Sequence, residues 1–350
     1  MKTADLDYEL PEALIAAHPA ERRDGARLLI VERDGLRDRR VDKLAELIPN
    51  GALVVVNDTR VRRARIYGSR QGSGGRIELL FIRRLSREGG RERWEAIGRA
   101  SKPLRVGTLI DWDEIRIEVL EKSAEATLLV EVDTQGADFE QILDQRGHLP
   151  LPPYMRRSDE DLDLERYQTV YARRTASAAA PTAGLHLTPE LFARLAERNV
   201  EIARLELEIG LGTFRPVTAT DLDDHPMHAE TIAVGPELTQ AVRAARERNA
   251  PVVAIGTTVV RALESAADPE RPGEVRATHG ETRLLIQPGY QFRVVDALLT
   301  NFHVPQSTLL ALVSAFAGYE RVMSAYRHAV AARYRFLSYG DAMWIPKRLA

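Results

Sequence analysis

The feature that most constrains this chain is a repeated unit, in which a strand-length apolar run stops on a polar or glycine-bearing loop and gives way to a helix. Ala52-Leu53-Val54-Val55-Val56 is one such run, preceded by helical apolar spacing over 41–48 and the stop Asn50-Gly51. It ends directly in Asn57-Asp58-Thr59-Arg60. Val200 to Leu207 is the next, reached from a helix that Thr188 caps, with Pro189 at its first position, running to about Asn199. Pro251 to Ile255 is a third, between a helix from Pro236 to about Asn249 and one that follows the Gly256 turn, expected to be capped by Thr257 and Thr258 and to run through Glu264. In parallel α/β architectures ligands sit beyond the carboxyl ends of the strands, so these loops should converge on one site.

The alternation is interrupted. From Ala64 to Val132 the pattern becomes short β-rich pieces, Arg76 to Ile82, Arg91 to Ile97, Glu114 to Leu120 and Ala126 to Val132, punctuated by glycines. This reads as a small all-β barrel or sandwich inserted into something else, and Pro150-Leu151-Pro152-Pro153-Tyr154 marks the return. The expected divisions are 1–63 and 151–350 for the main domain and 64–150 for the insertion.

Composition narrows the chemistry. With 44% hydrophobic residues in 350 there is ample core, and with no cysteine there is no disulfide, thiolate metal site, iron–sulfur cluster or cysteine nucleophile. His, Asp, Glu, Thr and Tyr are left. The start is polar, and no stretch approaches the ~20 apolar residues of a membrane span, so a cytoplasmic protein is expected. A net charge of −2 supplies no global field for nucleic acid, so any RNA site must be a local patch. Arg60, Arg62, Arg63, Arg65 and Arg70, then Arg83, Arg84, Arg87, Arg91 and Arg93, are clusters of that kind, or else solvated faces countered by nearby glutamates.

Four loops carry the candidate chemistry. Asn57, Asp58, Thr59 and Arg60 suit a sugar or carboxylate ligand, although Asn and Asp at a strand end also make ordinary turns. In Ala180-Pro181-Thr182-Ala183-Gly184-Leu185-His186, small residues let backbone N–H groups approach a ligand, and His186 brings an imidazole. Gly210-Leu211-Gly212-Thr213-Phe214-Arg215 could cradle a phosphate or adenosine, but lacks the lysine of a P-loop and the third glycine of a dinucleotide fingerprint. His228 and Glu230 follow it. Without H-E-x-x-H spacing, acid–base or hydrogen-bonding roles are preferred to metal ligation. The fourth loop, Thr300 to Thr308, holds Asn301 and His303 ahead of an apolar helix capped by Ser307.

Asn57 to Val61, Ala180 to His186, Gly210 to Val217, Gly256-Thr257-Thr258 with Arg261 and Glu264-Ser265, and Thr300 to Gly318 occur in the order and spacing of one family, as do Ala17 to Asp24 and Ser338 to Met343. The chain resembles the S-adenosylmethionine:tRNA ribosyltransferase-isomerases of queuosine formation from end to end. Leu187, Glu208 and Ala176-Ser177 depart from the pattern, which usually has Phe, His and Gly-Ala there. The resemblance implies a barrel-like α/β main domain with an inserted small all-β barrel. It implies transfer and isomerisation of the ribosyl moiety of S-adenosylmethionine onto 7-aminomethyl-7-deazaguanine at the tRNA wobble position, giving epoxyqueuosine with release of adenine and methionine.

S-adenosylmethionine is then a co-substrate, tRNA the partner, no cofactor is tightly bound, no metal is needed, and a monomer is expected. The acid–base candidates are His186, His303 and His228, with Asp58 or Glu230 orienting a hydroxyl or the amine. Asn57, Thr59, Arg60, Pro181, Thr182, Gly184, Gly210, Gly212, Thr213, Phe214, Arg215, Thr257, Thr258 and Asn301 are expected to bind substrate, with Arg60 or Arg215 on the methionine carboxylate or an RNA phosphate. The basic insertion is a candidate arm for the anticodon stem. Two competing readings are an α/β enzyme acting on a free nucleotide or sugar phosphate and a non-catalytic RNA-binding protein.

Overall fold

The computed structural model describes residues 1–123, 127–210 and 217–350. The chain forms two compact units: Met1–Arg60 with Pro152–Arg157 and Glu165–Ala350, and Val61–Leu151 with Ser158–Leu164. In chain order the strands are β1 (Arg27–Glu32), β2 (Gly35–Arg40), β3 (Leu53–Asn57), β4 (Thr59–Val61), β5 (Arg65–Arg70), β6 (Arg76–Glu88), β7 (Arg91–Ala100), β8 (Leu109–Trp112), β9 (Ile115–Lys122), β10 (Thr127–Asp133), β11 (Arg174–Ser177), β12 (Glu201–Leu207), β13 (Glu230–Val234), β14 (Val252–Ile255), β15 (Thr278–Thr282), β16 (Ala297–Asn301) and β17 (Ala342–Ile345). The helices are α1 (Leu44–Leu47), α2 (Phe139–Arg146), α3 (Asp161–Arg166), α4 (Pro189–Glu197), α5 (Pro236–Glu247), α6 (Thr257–Ser265), α7 (Thr308–Ala317) and α8 (Tyr319–Ala331).

The first unit is built on a nine-stranded mixed sheet, ordered β15-β13-β12-β3-β14-β16-β17-β1-β2. β12, β3, β14 and β16 run parallel. All five residues of β3 are buried, as expected for a strand with a neighbour on each side and helices on both faces. Leu53 and Val55 join one core with α5, α6, α7 and α8, and Val54 and Val56 join the other with α1 and α4. This alternation makes a continuous apolar run compatible with a strand.

β17 is antiparallel to β16, with Asn301 opposite Ala342, and β1 is parallel to β17, with Leu28 opposite Ala342. The ends of β3, β14 and β16 and the starts of β17 and β1 therefore lie along the same edge of the sheet. β1 and β17 are strands that the strand-loop-helix alternation does not reveal.

The second unit is a closed six-stranded antiparallel barrel, ordered β10-β7-β6-β5-β8-β9. Phe139, from α2, packs edge-on against Phe81, Trp94 and Trp112 at ring-centroid distances of 4.8, 5.8 and 6.0 Å. The fully buried Glu92 accepts from Trp94 Nε1 at 2.9 Å and from the Phe139 amide at 3.0 Å. Of the two readings of the Arg83–Arg93 cluster, the structure favours the countered face. Arg83 pairs with Glu95, Arg84 and Arg87 with Asp138, and Arg91 and Arg93 with Glu131.

Candidate active site

Four segments on the common edge of the sheet line a cleft of about 810 Å³: Ala179–Ala183, Gly256–Thr258, Thr300–Val304 and Leu337–Ser338. Gly256 has φ +96°, and a Cβ there would stand 3.5 Å from that of Ala183, so glycine permits both the turn into α6 and the close approach of the small-residue segment.

Asn301 ends β16 and is 2% exposed. Its Nδ2 donates to the Leu337 carbonyl at 3.1 Å and contacts His186 Nε2 at 3.2 Å. Because a carbonyl only accepts, the Leu337 contact identifies the amide nitrogen, and His186 Nε2 must be an acceptor with its proton on Nδ1. Burial lowers the His186 pKa to about 4, helped by the charges of Arg23 and Arg335. His303, also buried, places Nε2 at 2.9 Å from Thr300 Oγ1. Its amide donates to the Tyr326 hydroxyl at 2.9 Å, and its carbonyl accepts from Tyr8. Burial pushes its pKa down to about 3. Both imidazoles are therefore neutral at pH 7, able to donate one hydrogen bond and accept one without storing a proton.

The other wall carries an ion pair. Arg261 is 7% exposed and Glu230 6%. Arg261 Nη1 donates to Glu230 Oε2 and Nε to the Leu284 carbonyl at 3.1 Å. Nη2 is buried with no partner among the described residues, as are Asn301 Oδ1 and Thr258 Oγ1. Buried polar groups are almost always hydrogen-bonded, so three orphaned atoms in residues lining one cleft mark bonding capacity reserved for something that enters it.

The expectation that Thr257 and Thr258 cap α6 is corrected. The N-cap is Gly256 and no side chain caps the helix. Both threonines already lie inside the helix, whereas a capping hydroxyl must come from the flanking residue with extended backbone. The Thr258 hydroxyl is left over as a result.

Of the expected residues, His303, Glu230, Pro181, Thr182, Thr257, Thr258 and Asn301 line this cleft. His228 lies in an adjoining hollow of about 490 Å³ that shares Glu230 and Arg261 with it. His186 reaches the cleft only through Asn301 and otherwise lines a hollow with Arg22, Arg23 and Arg166.

The remaining candidates stand apart from the cleft. Asn57 is fully buried and clamps β3 to β12, donating to the Leu207 carbonyl at 3.0 Å and accepting the Leu207 amide at 3.1 Å. The Thr59 hydroxyl is 2.7 Å from that of Ser177, so the Ser177 departure adds a hydrogen bond. Asp58 is half-buried, its pKa raised by burial against the opposing charges of Arg204 and Arg173. Arg60 is exposed, and Gly210 is outside the lining. Gly184 is buried where a Cβ would fall 2.1 Å from the Tyr171 hydroxyl, so it serves packing. Gly212, Thr213, Phe214 and Arg215 lie outside the described residues.

Arg261, Tyr154, Tyr167 and Ser338 line the cleft without having been singled out as binding residues. Arg261 had a signal. It stands one helical turn after Thr257, and the surrounding Val259, Val260, Ala262 and Leu263 are apolar and buried, so an arginine there must have a buried partner. Tyr154 and Ser338 are 184 residues apart and joined by hydroxyls 2.5 Å from each other, which no local pattern reveals.

The model of a family described as queuosine biosynthesis protein matches residues 3–345. An S-adenosylmethionine:tRNA ribosyltransferase-isomerase of Sorangium cellulosum (strain So ce56) is 54% identical, over 99% of this chain and 98% of that protein. One of Anaeromyxobacter sp. (strain Fw109-5) is 49% identical, over 99% of each. The crystal structure of an S-adenosylmethionine tRNA ribosyltransferase from Thermotoga maritima superposes with a TM-score of 0.55 at 34% identity, covering 97% of this chain and 99% of that one.

Proposed function

Because the chain belongs to the queuosine biosynthesis protein family, whose relatives are named S-adenosylmethionine:tRNA ribosyltransferase-isomerases, we propose that it moves and isomerises the ribosyl moiety of S-adenosylmethionine onto 7-aminomethyl-7-deazaguanine at the tRNA wobble position. Epoxyqueuosine-tRNA, adenine and methionine are the products. The observation that carries the reading is the orphaned set Asn301 Oδ1, Thr258 Oγ1 and Arg261 Nη2 around one cleft. It offers an acceptor, a hydroxyl and a cationic donor around one concave space whose other walls are largely apolar, the usual make-up of a small-ligand site.

The chemistry starts at the sulfonium, which acidifies the adjacent C5′ hydrogens. Proton removal leaves an ylide-like carbanion, adenine departs with a proton from a general acid, the RNA amine attacks the ribose-derived chain, and epoxide closure expels methionine. Within the cleft, Glu230 is the candidate for moving these protons. His303, being neutral, meets adenine or a ribose hydroxyl as a hydrogen-bond partner. His186 acts through Asn301 as a positioning residue, fixing the amide so that Oδ1 is the atom offered to substrate. The wobble base has to leave its stack to reach such a cleft, the usual route for enzymes working on a base.

The test is nucleoside analysis of tRNA carrying the aminomethyl base after incubation with the pure protein and S-adenosylmethionine. Epoxyqueuosine with equimolar adenine and methionine is expected. Methyl transfer, or equal turnover of the free base without tRNA, would refute the proposal.

A further inference from the structure

α6 opens on the cleft with nothing among the described residues on its N-terminus. Its N-cap, Gly256, has no side chain to offer, and among the described residues the amides of Thr257, Thr258 and Val259 have no partner within the chain. A helix start alone is no site. Here a second observation stands beside it: Arg261, one turn along the same helix and more than nine-tenths buried, leaves Nη2 unpartnered, and Thr258 Oγ1 is orphaned between the two. Unpaired amides at the positive end of a helix, a hydroxyl and one arm of a guanidinium make a donor set that fits an anion. Glu230 does not use it up, because it holds Nη1 and leaves Nη2.

We propose that this is the carboxylate subsite for the methionine end of S-adenosylmethionine, an inference that rests on the function proposed above and assigns one end of that substrate to named atoms. The same positive field repels the sulfonium and the α-ammonium, so the charges of the co-substrate orient it: carboxylate on the donors at the start of α6, α-ammonium turned from them, sulfonium further away, and adenosine toward Asn301 and His303. This gives Arg261 the role expected of Arg60 or Arg215, of which Arg60 is exposed and outside the lining and Arg215 lies outside the described residues. An RNA phosphate would satisfy the same donors, and the experiment separates the two.

The full chain without tRNA is titrated with S-adenosylmethionine and with its decarboxylated analogue, which keeps the sulfonium and adenosine, and tRNA affinity is measured in parallel. Thr258→Val deletes a hydroxyl that has no partner among the described residues, so no hydrogen bond between them is lost. Arg261→Lys keeps a cation opposite Glu230 and removes the second arm of the fork. Wild type should prefer the carboxylate-bearing ligand by about tenfold or more, and each variant should lose most of that preference by weakening S-adenosylmethionine alone, since charge-assisted bonds are the strong ones. Affinities for the analogue and for tRNA should stay within about twofold.

An undiminished preference in Thr258→Val, equal weakening of both ligands, no measurable binding of S-adenosylmethionine by the wild type, or a loss confined to tRNA affinity would each overturn the assignment, the last giving the subsite to a phosphate. The functional reading fails separately, if wild type with S-adenosylmethionine and substrate tRNA releases no adenine.

Discussion

Two imidazoles buried beside one cleft make the protein's stability depend on pH in a direction that can be worked out. An unfolded histidine takes up a proton below about pH 6.5. In the fold, burial delays this to about pH 4 for His186 and about pH 3 for His303. Between those limits the unfolded chain binds more protons, so stability falls as pH drops below about 6.5. Asp58 and Asp341, whose carboxyl pKa values burial raises, act in the opposite sense nearer pH 4, so the loss should be clearest between pH 6.5 and 5. Each histidine should contribute a loss of about 1–2 kcal/mol over that window. Urea unfolding at several pH values checks this. His303→Gln should flatten the dependence, and an unchanged slope would show that His303 does not titrate as its burial requires.

At the scale of elements, the site depends on how two turns are built. The start of α6 exposes its donors because glycine occupies the N-cap, and the Thr182–His186 turn reaches the cleft because Gly184 leaves room for Tyr171. Gly184→Ala would drive a methyl group into a hydroxyl 2.1 Å away and the Thr169 Cγ2 3.0 Å away. Overpacking of this kind costs about 1–3 kcal/mol, so thermal unfolding should come several degrees earlier and S-adenosylmethionine should bind more weakly. A wild-type melting temperature would mean that the turn is not held by Tyr171. Away from the cleft, the turn ahead of β16 is fixed by Glu264, whose carboxylate accepts the amides of Arg293, Val294 and Val295 at 2.8, 3.0 and 3.0 Å, so its place in the family motif is accounted for by structure alone.

For the molecule as a whole, the two units have separate cores. The barrel's is the aromatic group around Phe139, whereas the sheet's two faces carry their own apolar clusters. Phe139→Ala should remove about 3–5 kcal/mol from the barrel. Calorimetry should then show an early transition ahead of the main one, with the affinity for S-adenosylmethionine preserved. One transition displaced as a block would show that the units unfold together.

Much of this was legible in the residues. Apolar runs stopping on polar loops identified β3, β12 and β14, and the Thr188 and Ser307 caps are present as hydrogen bonds to Leu191 and Leu310. Local backbone preference and side-chain period act over a few residues, so a sequence displays them directly. The strands β1 and β17, the Tyr154–Ser338 contact and the orphaned arm of Arg261 depend on partners a hundred or more residues away, or on what remains unbonded after packing. The sequence by itself determined which loops end strands, which family they resemble and which residue types were available for chemistry. Only the tertiary structure decided that Asn57 clamps the sheet while Asn301 faces the cleft, because side chains with the same chemistry differ only in which hydrogen bonds the fold leaves unfilled.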